Sequence, residues 1–386
     1  MAGDVWEAPG GVNRPIYLDY QATTPLAPEV AAAMRPWIET NFGNPHSPHR
    51  IGREAAAAVE VARSHVLAAL GADFGRLFFT SGATEATNWA LKGAASRLPE
   101  GRRRIVTLAT EHACVLDTVL WLGGQGFDVE VLPVRPDGLV DLDLIADRIG
   151  AGTGIVAAML VNNEIGAVQP VAEIGRIARE RGALFFCDAV QGLCRVGLPA
   201  DSCDLVAVSA HKVHGPKGIG ALWMRHGVEI DPLLHGGGQE GGLRSGTLSP
   251  ALCVGFGEAA RLIAERGAAD RAHVESLWAA ANRMLKGWRF NGSTEHRYRG
   301  NLNLRRDGLD ASRLISDVRQ VAFSAGSACA SGSGRPSHVL SALGLDDRQA
   351  RTSIRIGFGR YTSEEDLTRG IELILEAADR QRRFAA

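Results

Sequence analysis

Short runs of apolar residues alternate with longer helical patterns along most of the chain. The runs RLFF, RIVTLA, GIVAAMLV, ALFFCD and DLVAVS are each followed by a helical or turn-forming segment. Strands that are apolar throughout are typical of a parallel sheet buried on both faces, with helices between the strands as the cover. The pattern therefore predicts an α/β fold with a mostly parallel sheet.

The alternation of short apolar runs with helical patterns changes after about residue 260. A long helical stretch is followed by GNLNLRR, DASRLISDVRQ, VAFSAGSACAS and TSIRIGF, and then by the helical pattern EEDLTRGIELILEAADRQRR. This order predicts a smaller α+β domain in the C-terminal part of the chain. We assign residues 20–260 to a large domain, and residues 1–19 and 261–386 to the small domain.

Polar residues recur at one position of the strand–helix pattern, directly after a predicted strand. They are residues 81–84, His112, Asn163, Asp188 and Lys212. Ligands of open α/β sheets bind outside the carboxyl ends of the strands. Polar residues after five strands therefore predict one binding crevice.

Composition narrows the class of protein. The formal net charge of −1 gives no case for nucleic acid or an anionic membrane as a partner. The N-terminal residues lack a secretory pattern, no apolar run spans a membrane, and scattered cysteines without a CxxC pair fit a reducing compartment. We therefore expect a soluble cytoplasmic protein. His46 with His49, and His211 with His214, have metal-like spacing but lack further ligands, so we expect no intrinsic metal site.

Lysine is rare in this chain, since Lys92, Lys212, Lys217 and Lys286 are its four lysines. Lys212 follows a predicted strand end. A lysine amine can be neutralised and form a Schiff base with a carbonyl cofactor, which an arginine cannot do. The alternative for Lys212 is an ordinary surface lysine.

Three other positions also have both a chemical and a structural interpretation. The turn TSGATEA opens a helix, so its N–H groups and Thr84 suit a phosphate, or they form an ordinary helix cap. Asp188 needs a cationic or N–H partner, such as a protonated heterocyclic nitrogen, unless it caps the next helix. His112 can stack on a planar ring or act as an acid or base, although a lone histidine is more often structural.

Two residues of the C-terminal part have candidate roles. Cys329 lies among serines, glycines and alanines, which predicts an exposed, mobile loop where a thiol can react. The other five cysteines lie in apolar or helical contexts typical of inert thiols. Arg355 lies in the strand-like run SIRIGFG, so its charge needs an anionic partner or an opening to solvent, and its planar fork suits a substrate carboxylate.

With these segments in order, the chain resembles the cysteine desulfurases, which are fold-type I pyridoxal phosphate-dependent enzymes similar to class V aminotransferases. The resemblance runs from IYLDYQATTPLAPEV to SIRIGFGRYTSEED. It includes NFGNPHS, FTSGATEATN, TEHACVLDT, VNNEIGAVQP, DAVQ, SAHKVHGPKGIGAL, HGGGQEGGLRSGT and SAGSACASGS. The order and spacing of the set are specific, and the loop after Cys329 is similar to that of the iron–sulfur-cluster and nitrogen-fixation branch.

The resemblance implies how the chain would bind pyridoxal 5′-phosphate. Lys212 would hold the cofactor covalently, and His112 would stack on its ring and assist proton transfers. The remaining contacts would be Asp188 to the pyridinium nitrogen, Gln191 to the ring hydroxyl, Asn163 to cofactor or substrate, and Ala83, Thr84, Ser209 and His211 to the phosphate. Thr247 would reach the phosphate of the neighbouring subunit in a homodimer.

The resemblance also implies the reaction. Arg355 would bind the carboxylate of L-cysteine, and the Cys329 thiolate would attack the substrate sulfur, leaving L-alanine and a persulfide. A sulfur acceptor or an iron–sulfur scaffold protein would then take that sulfur, and Cys329 could ligate a cluster transiently. Ala210 departs from the family pattern, which has glycine before the histidine–lysine pair. The alternative is a selenocysteine lyase or another enzyme of this fold; the cysteine loop argues against an aminotransferase.

Overall fold

The chain folds around three sheets within residues 14–326 and 337–385, the part that the computed structural model describes. The strands are β1 (Ile16–Tyr17), β2 (Gly75–Thr80), β3 (Arg104–Leu108), β4 (Asp128–Leu132), β5 (Thr153–Met159), β6 (Leu184–Asp188), β7 (Leu205–Ser209), β8 (Gly220–Arg225), β9 (Arg289–Phe290), β10 (Asn301–Arg305), β11 (Val321–Ala322), β12 (Ser324–Ala325) and β13 (Ser353–Gly357). The helices are α1 (Pro28–Glu39), α2 (Arg50–Leu70), α3 (Ala83–Ala95), α4 (Ala113–Gly124), α5 (Leu142–Arg148), α6 (Val171–Glu180), α7 (Pro250–Met284), α8 (Ala311–Asp317), α9 (His338–Ala342), α10 (Asp347–Arg351) and α11 (Glu364–Ala385).

The largest sheet has seven strands in the order β2-β8-β7-β6-β5-β3-β4. β8 is antiparallel to both of its neighbours, and every other neighbouring pair is parallel. Five strands therefore run in the same direction, so their carboxyl ends lie at the same end of the sheet. They are β2, β3, β5, β6 and β7. The prediction of a mostly parallel sheet is confirmed.

The continuous apolar runs reflect burial of this sheet on both faces. β5 is buried at every position. Its Ile155 and Ala157 belong to one apolar cluster, whereas Val156 and Ala158 belong to another. Because successive side chains of a strand point to opposite faces, a strand covered on both sides needs an apolar residue at each position.

The C-terminal part forms a separate antiparallel sheet, β12-β13-β10-β9. The N-terminal strand β1 pairs in parallel with β11, so that Ile16 lies opposite Val321. Leu18 packs in the same apolar cluster as Leu302 and Ile356. The start of the described chain is therefore part of the C-terminal packing unit.

Helix α7 connects the two packing units. Ser249 accepts a hydrogen bond from a first-turn N–H group, and Pro250 occupies the first turn, where its missing N–H costs nothing. Phe256 packs in the cluster of the large sheet, and Trp278 packs in the cluster of the antiparallel sheet. The domain boundary that we predicted after residue 260 thus lies inside one continuous helix, and the division into two domains stays a prediction.

Some elements differ from the sequence prediction. β4 and β8 were not predicted, because DVEVL alternates polar and apolar residues at the sheet edge and GALWMR follows directly on a glycine-rich turn. The helix expected directly after Asp188 is absent, since the segment AVQGLC that follows this residue forms turns. A Cβ atom at Gly192 would lie 2.4 Å from the Leu160 side chain, so this turn packs tightly against the sheet edge. An interior glycine also disfavours a helix.

Candidate active site

The predicted polar segments lie at the carboxyl ends of the strands of the large sheet. Residues 81–84 follow β2, and Asp188 is the last residue of β6. His112, Asn163 and Lys212 follow β3, β5 and β7, within four residues of each strand end. Because these five strands run in the same direction, the sheet brings the segments together at one edge.

Lys212 lies at the end of a single 3-10 turn that follows β7. Its Nζ donates hydrogen bonds to the backbone carbonyl oxygens of Gln21 at 2.6 Å and Ala22 at 2.7 Å. Burial, together with the neighbouring cations Arg195 and Arg355, lowers the pKa of the Lys212 amine from 10.5 to about 7. A half-buried amine with a pKa lowered in this way is available as a free base near neutral pH. These contacts favour the chemical interpretation of Lys212 over the surface-lysine alternative, and its role stays a prediction.

Asp188 is buried, with 5% of its surface exposed. Its Oδ1 accepts a hydrogen bond from the backbone N–H of Val190 at 2.9 Å, so it also holds the turn that follows the strand. Burial raises the pKa of the Asp188 carboxyl, while the nearby His112 and Lys212 lower it. A carboxylate in this position is stabilised by an additional cationic N–H group.

His112 caps the N-terminus of α4. Its Nδ1 accepts a hydrogen bond from the backbone N–H of Cys114 at 3.1 Å. In the neutral imidazole the ring proton is therefore on Nε2, because Nδ1 is used as an acceptor. Burial lowers the pKa of His112, and the charge of Asp188 opposes that shift. His112 thus combines a helix-capping role with a defined ring tautomer.

Gln21 and Gln191 lie next to Lys212 in the crevice. Gln191 Nε2 donates to the same Gln21 carbonyl oxygen that Lys212 contacts, at 2.8 Å. Gln191 Oε1 is buried and has no hydrogen-bond partner within the described part of the chain. A buried acceptor without a partner is costly, so a hydroxyl of a bound molecule would stabilise it.

The turn before α3 lies beside the end of β7. Thr80 and Ser209 are both paired with Gly220 of the intervening strand β8. A Cβ atom at Gly220 would lie 2.8 Å from the backbone carbon of Gly82, so a glycine is needed for this close approach. The N-terminal turn of α3, with Ala83 and the exposed Thr84, therefore lies next to Ser209.

His211 lies between this turn and Lys212. Its Nδ1 contacts the Thr23 hydroxyl at 3.1 Å, and its carbonyl oxygen accepts from the Thr24 hydroxyl at 2.9 Å. Burial, together with the neighbouring Lys212 and Lys217, lowers the pKa of His211 to about 4. A phosphate would fit among these groups, because the cations and the helix N-terminus favour an anion.

Arg355 is fully buried on β13, at 1% exposure. Its Nη2 lies 2.7 Å from Asp19 Oδ1, and its Nη1 donates to the backbone carbonyl oxygen of Asn163 at 3.0 Å. Arg355 thus has the anionic partner that its charge requires, and its contact with the loop after β5 links the antiparallel sheet to the crevice.

Some expected residues are not joined to this cluster. Thr247 is exposed on the loop before α7, and no hydrogen bond of the described residues links it to Lys212 or Ser209. Cys329 lies outside the described residues. Sequence reasoning missed Asp19, Gln21 and Thr23, although the stretch YLDYQATTP that contains them had been noted for its resemblance to the family.

The donor set fits pyridoxal phosphate. It offers a half-buried amine, a buried carboxylate for a ring N–H, an unpaired amide oxygen for a hydroxyl and a helix N-terminus for a phosphate. In residues 14–326 and 337–385, no group of three or more His, Cys, Asp or Glu side chains is placed to hold a metal ion. Within the same residues, every helix is too short or too polar to cross a membrane.

Comparison with known proteins agrees with this geometry. The family model for class-V aminotransferases matches residues 16–369. The cysteine desulfurase IscS of Rickettsia bellii (strain OSU 85-389) is 44% identical over 377 residues, which cover 95% of this chain and 92% of the relative.

Two solved structures share the fold. A NifS-like protein superposes with a TM-score of 0.87 at 34% identity, covering 94% of this chain and 98% of the other. The structure of SspA in complex with cysteine gives a TM-score of 0.79 at 35% identity, covering 90% and 99%. The chain therefore belongs to the class-V aminotransferase family of pyridoxal phosphate-dependent enzymes and, within that family, to the cysteine desulfurases.

Proposed function

We propose that the protein converts L-cysteine to L-alanine and holds the released sulfur as a persulfide on Cys329. The observation that carries the proposal is the Lys212 amine, whose pKa is about 7, beside the buried carboxylate of Asp188. A free amine near neutral pH is what carbonyl chemistry on an amino acid requires. In the balanced reaction, L-cysteine and the Cys329 thiol give L-alanine and the Cys329 persulfide.

The residues around Lys212 would hold the cofactor in one orientation. Bound pyridoxal phosphate supplies an aldehyde that condenses with amines and a ring that accepts the electrons of a breaking Cα–H bond. Asp188 would keep the ring nitrogen protonated, and Gln191 would accept a hydrogen bond from the ring hydroxyl. The phosphate would be held by Ala83, Thr84, Ser209 and His211.

Arg355 would bind the carboxylate of the substrate. Its guanidinium is fixed by Asp19 and by the Asn163 carbonyl oxygen, so little rotamer entropy remains to be lost on binding. The Lys212 amine takes the proton from the substrate Cα, and His112 assists through the proton on its Nε2. Asn163 contacts the substrate or the cofactor from the loop after β5.

Sulfur transfer would depend on Cys329. Its thiolate attacks the sulfur of the substrate, so that an S–S bond forms while the Cβ–S bond breaks. The electron pair of that Cβ–S bond stays with the carbon skeleton, which takes up a proton to give the methyl group of alanine. The persulfide then passes to an acceptor protein, for iron–sulfur cluster assembly or another sulfur-requiring pathway.

A homodimer in the cytoplasm is the assembly that we favour. Ile38, Phe42 and Ile51 are large apolar side chains on or near the first two helices, with 69%, 85% and 40% of their surfaces exposed. Burial of such side chains against a second copy would stabilise a dimer. The exposed Thr247 would then complete the phosphate site of the other subunit. The five described cysteines are free thiols, which fits a reducing compartment.

Quantitative product analysis tests the proposal. The purified protein, loaded with pyridoxal phosphate, is mixed with L-cysteine, and alanine and protein-bound sulfane sulfur are measured. We expect one alanine for each sulfur that reaches Cys329, and continued turnover when a thiol reductant removes the persulfide. Release of pyruvate instead of alanine, or activity with selenocysteine but not with cysteine, would contradict the proposal.

A further inference from the structure

The two residues that flank segment 327–336, which contains Cys329, are connected by hydrogen bonds to one loop of the large sheet, one of them through Asn303 and the other directly. Gly326 precedes the segment and Ser337 follows it, and both belong to the described residues. This loop follows β5. Within it, Glu164 is the residue to which both ends are connected by hydrogen bonds. Glu164 is buried, with 2% of its surface exposed, and the proposed reaction has not used it.

The upstream end is joined to Glu164 through one asparagine. Asn303 on β10 donates from Nδ2 to the backbone carbonyl oxygen of Glu164 at 3.0 Å and to that of Gly326 at 3.2 Å. The N–H of Gly326 also donates to the carbonyl oxygen of Ser353 at 2.7 Å. A Cβ atom at Gly326 would lie 2.6 Å from the Ser353 Cβ, so the chain here is pressed against β13.

The downstream end is joined to Glu164 directly. The Ser337 hydroxyl donates to Glu164 Oε2, and it accepts from the backbone N–H of Leu340 at 3.1 Å, which caps α9. Burial raises the pKa of the Glu164 carboxyl, whereas the Ser337 hydroxyl and the charges of His338 and Arg355 lower it. A hydroxyl that both donates and accepts is fixed in direction, so this contact sets where α9 begins.

The same loop is fixed to the residue that would bind the substrate carboxylate. Asn163, the neighbour of Glu164, accepts at its carbonyl oxygen from Arg355 Nη1 at 3.0 Å. Asn301 Nδ2 adds a further bond to the Glu164 carbonyl oxygen at 3.1 Å. The loop after β5 is therefore connected by hydrogen bonds to both ends of the cysteine-bearing segment and to the proposed carboxylate-binding group.

We propose that Glu164 is a positioning residue for sulfur transfer, because its carbonyl and carboxyl groups hold both ends of the Cys329 segment at fixed places relative to Arg355. The inference deepens the proposed desulfurase function and rests on it. Cys329 follows Gly326 by three residues, and three residues of chain span at most about 11 Å. A displaced anchor therefore moves the point from which the segment starts, and a misplacement of about 1 Å can slow a reaction by up to about 100-fold.

The experiment separates the substrate step from the sulfur step in one enzyme preparation. Holoenzyme is mixed rapidly with L-cysteine; the visible absorbance change reports substrate binding at the cofactor, and quenched samples give the persulfide on Cys329 by mass spectrometry. For Glu164→Ala and Ser337→Ala we expect an unchanged absorbance phase and persulfide formation slowed about 10- to 100-fold. Ser337→Thr, which keeps the hydroxyl, should restore the wild-type rate.

A double-mutant cycle identifies the contact itself. If Glu164 acts through Ser337, the double alanine variant should be about as slow as the slower single variant, because the shared contact is lost only once. Glu164→Gln should lie between wild type and Glu164→Ala, since its amide oxygen can still accept from Ser337.

Asp204→Asn provides the matched control. Asp204 is a buried carboxyl group that accepts from the backbone N–H of Phe185 at 2.9 Å, at the opposite end of the β6–β7 pair from the site. It should lower the melting temperature without slowing persulfide formation. Single variants as fast as wild type, effects that multiply in the double variant, or an equally slow Asp204→Asn would each overturn the inference alone. Wild-type protein that forms no alanine from cysteine would overturn the proposed function together with it.

Discussion

Arg355 Nη2 lies 2.7 Å from Asp19 Oδ1, although the two residues are 336 positions apart in the sequence. The contact exists because Leu18 donates its N–H to Ala322, beside the parallel pair of β1 and β11, and Asp19 forms a parallel bridge with Gly357 at the end of β13. The N-terminal segment thus supplies the anionic partner of a buried guanidinium. It also fixes the direction in which Arg355 presents its remaining donors.

Replacement of Arg355 by lysine should weaken substrate binding more than it affects the cofactor. A lysine keeps the charge but cannot satisfy Asp19, the Asn163 carbonyl oxygen and a carboxylate with one planar fork. Loss of a charge-assisted hydrogen bond costs about 1.5–3 kcal/mol, so we expect the KM for cysteine to rise about 10- to 100-fold. Steady-state kinetics give KM, and the visible spectrum should show full cofactor loading.

Arg360→Lys is the matched control for that experiment. The Arg360 side chain is also largely buried, with 6% of its surface exposed, and its Nη2 lies 2.7 Å from Asp270 Oδ2. It has no bond with Asn163 or Asp19 among the contacts of the described residues, so its KM should stay near the wild-type value. An unchanged KM in Arg355→Lys, or an equal rise in both variants, would contradict the assigned role.

The partners of the site residues could not be predicted from the sequence, whereas their positions after strands could. A strand end is a local signal, since a continuous apolar run stops and a polar residue follows, as for Asp188 after ALFFCD. The contacts of Lys212 with Gln21 and of Glu164 with Ser337 join residues 191 and 173 positions apart. No local pattern encodes such a pair, because it depends on how two packing units meet.

Cofactor loading should show the pKa of Lys212 directly. Burial lowers this pKa from 10.5 to about 7, so the amine is protonated below that pH and free above it. The rate at which cofactor-free protein incorporates pyridoxal phosphate should therefore rise between about pH 6 and pH 8 and then level off. Borohydride reduction and peptide mass spectrometry should place the cofactor on Lys212. The exposed Lys217 is the control, and Lys217→Ala should load normally.

The same shift has a consequence for stability. The folded-state pKa is depressed below the unfolded value, so the folded chain carries the penalty of a buried charge below pH 7, and this penalty disappears as the pH rises toward 10.5. Lys212→Met should therefore raise the free energy of unfolding of the cofactor-free protein, most strongly below pH 7. A loading rate that keeps rising up to pH 10, or a cofactor fixed to Lys217, would contradict the assignment.

Replacement of Asp188 by asparagine should reduce turnover while leaving the fold intact. The asparagine oxygen can still accept from the N–H of Val190, but it no longer stabilises a protonated ring nitrogen by charge. A charge-assisted hydrogen bond contributes about 1.5–3 kcal/mol, which corresponds to a 10- to 100-fold loss in kcat if all of it acts in the transition state. Alanine production at near-normal rates would count against the role, and Asp204→Asn supplies the comparison at the other end of the same strand pair.

The five cysteines described by the structure indicate where the transferred sulfur should reside. Burial raises the pKa of Cys114 and of Cys253 to about 12. Cys187 and Cys203 are fully buried, and burial raises the pKa of Cys194. The thiolate is the reactive form, so thiols of this kind are poor nucleophiles at neutral pH.

Cys329→Ser should therefore bind cysteine but form no persulfide. Lys212 and Arg355 are unchanged in this variant, so the absorbance change on addition of cysteine should persist, whereas a serine hydroxyl offers no sulfur nucleophile. In wild-type protein treated with cysteine, mass spectrometry should find one added sulfur, on the peptide that contains Cys329. Cys114→Ser is the control, because Cys114 lies two residues after His112 and the variant keeps the backbone N–H that donates to His112 Nδ1. If the added sulfur is found on Cys114 or on another described cysteine, and Cys329→Ser is fully active, Cys329 is ruled out as the sulfur carrier. If the added sulfur is found on Cys329 in both wild type and Cys114→Ser, the transfer is assigned to the Cys329 thiol.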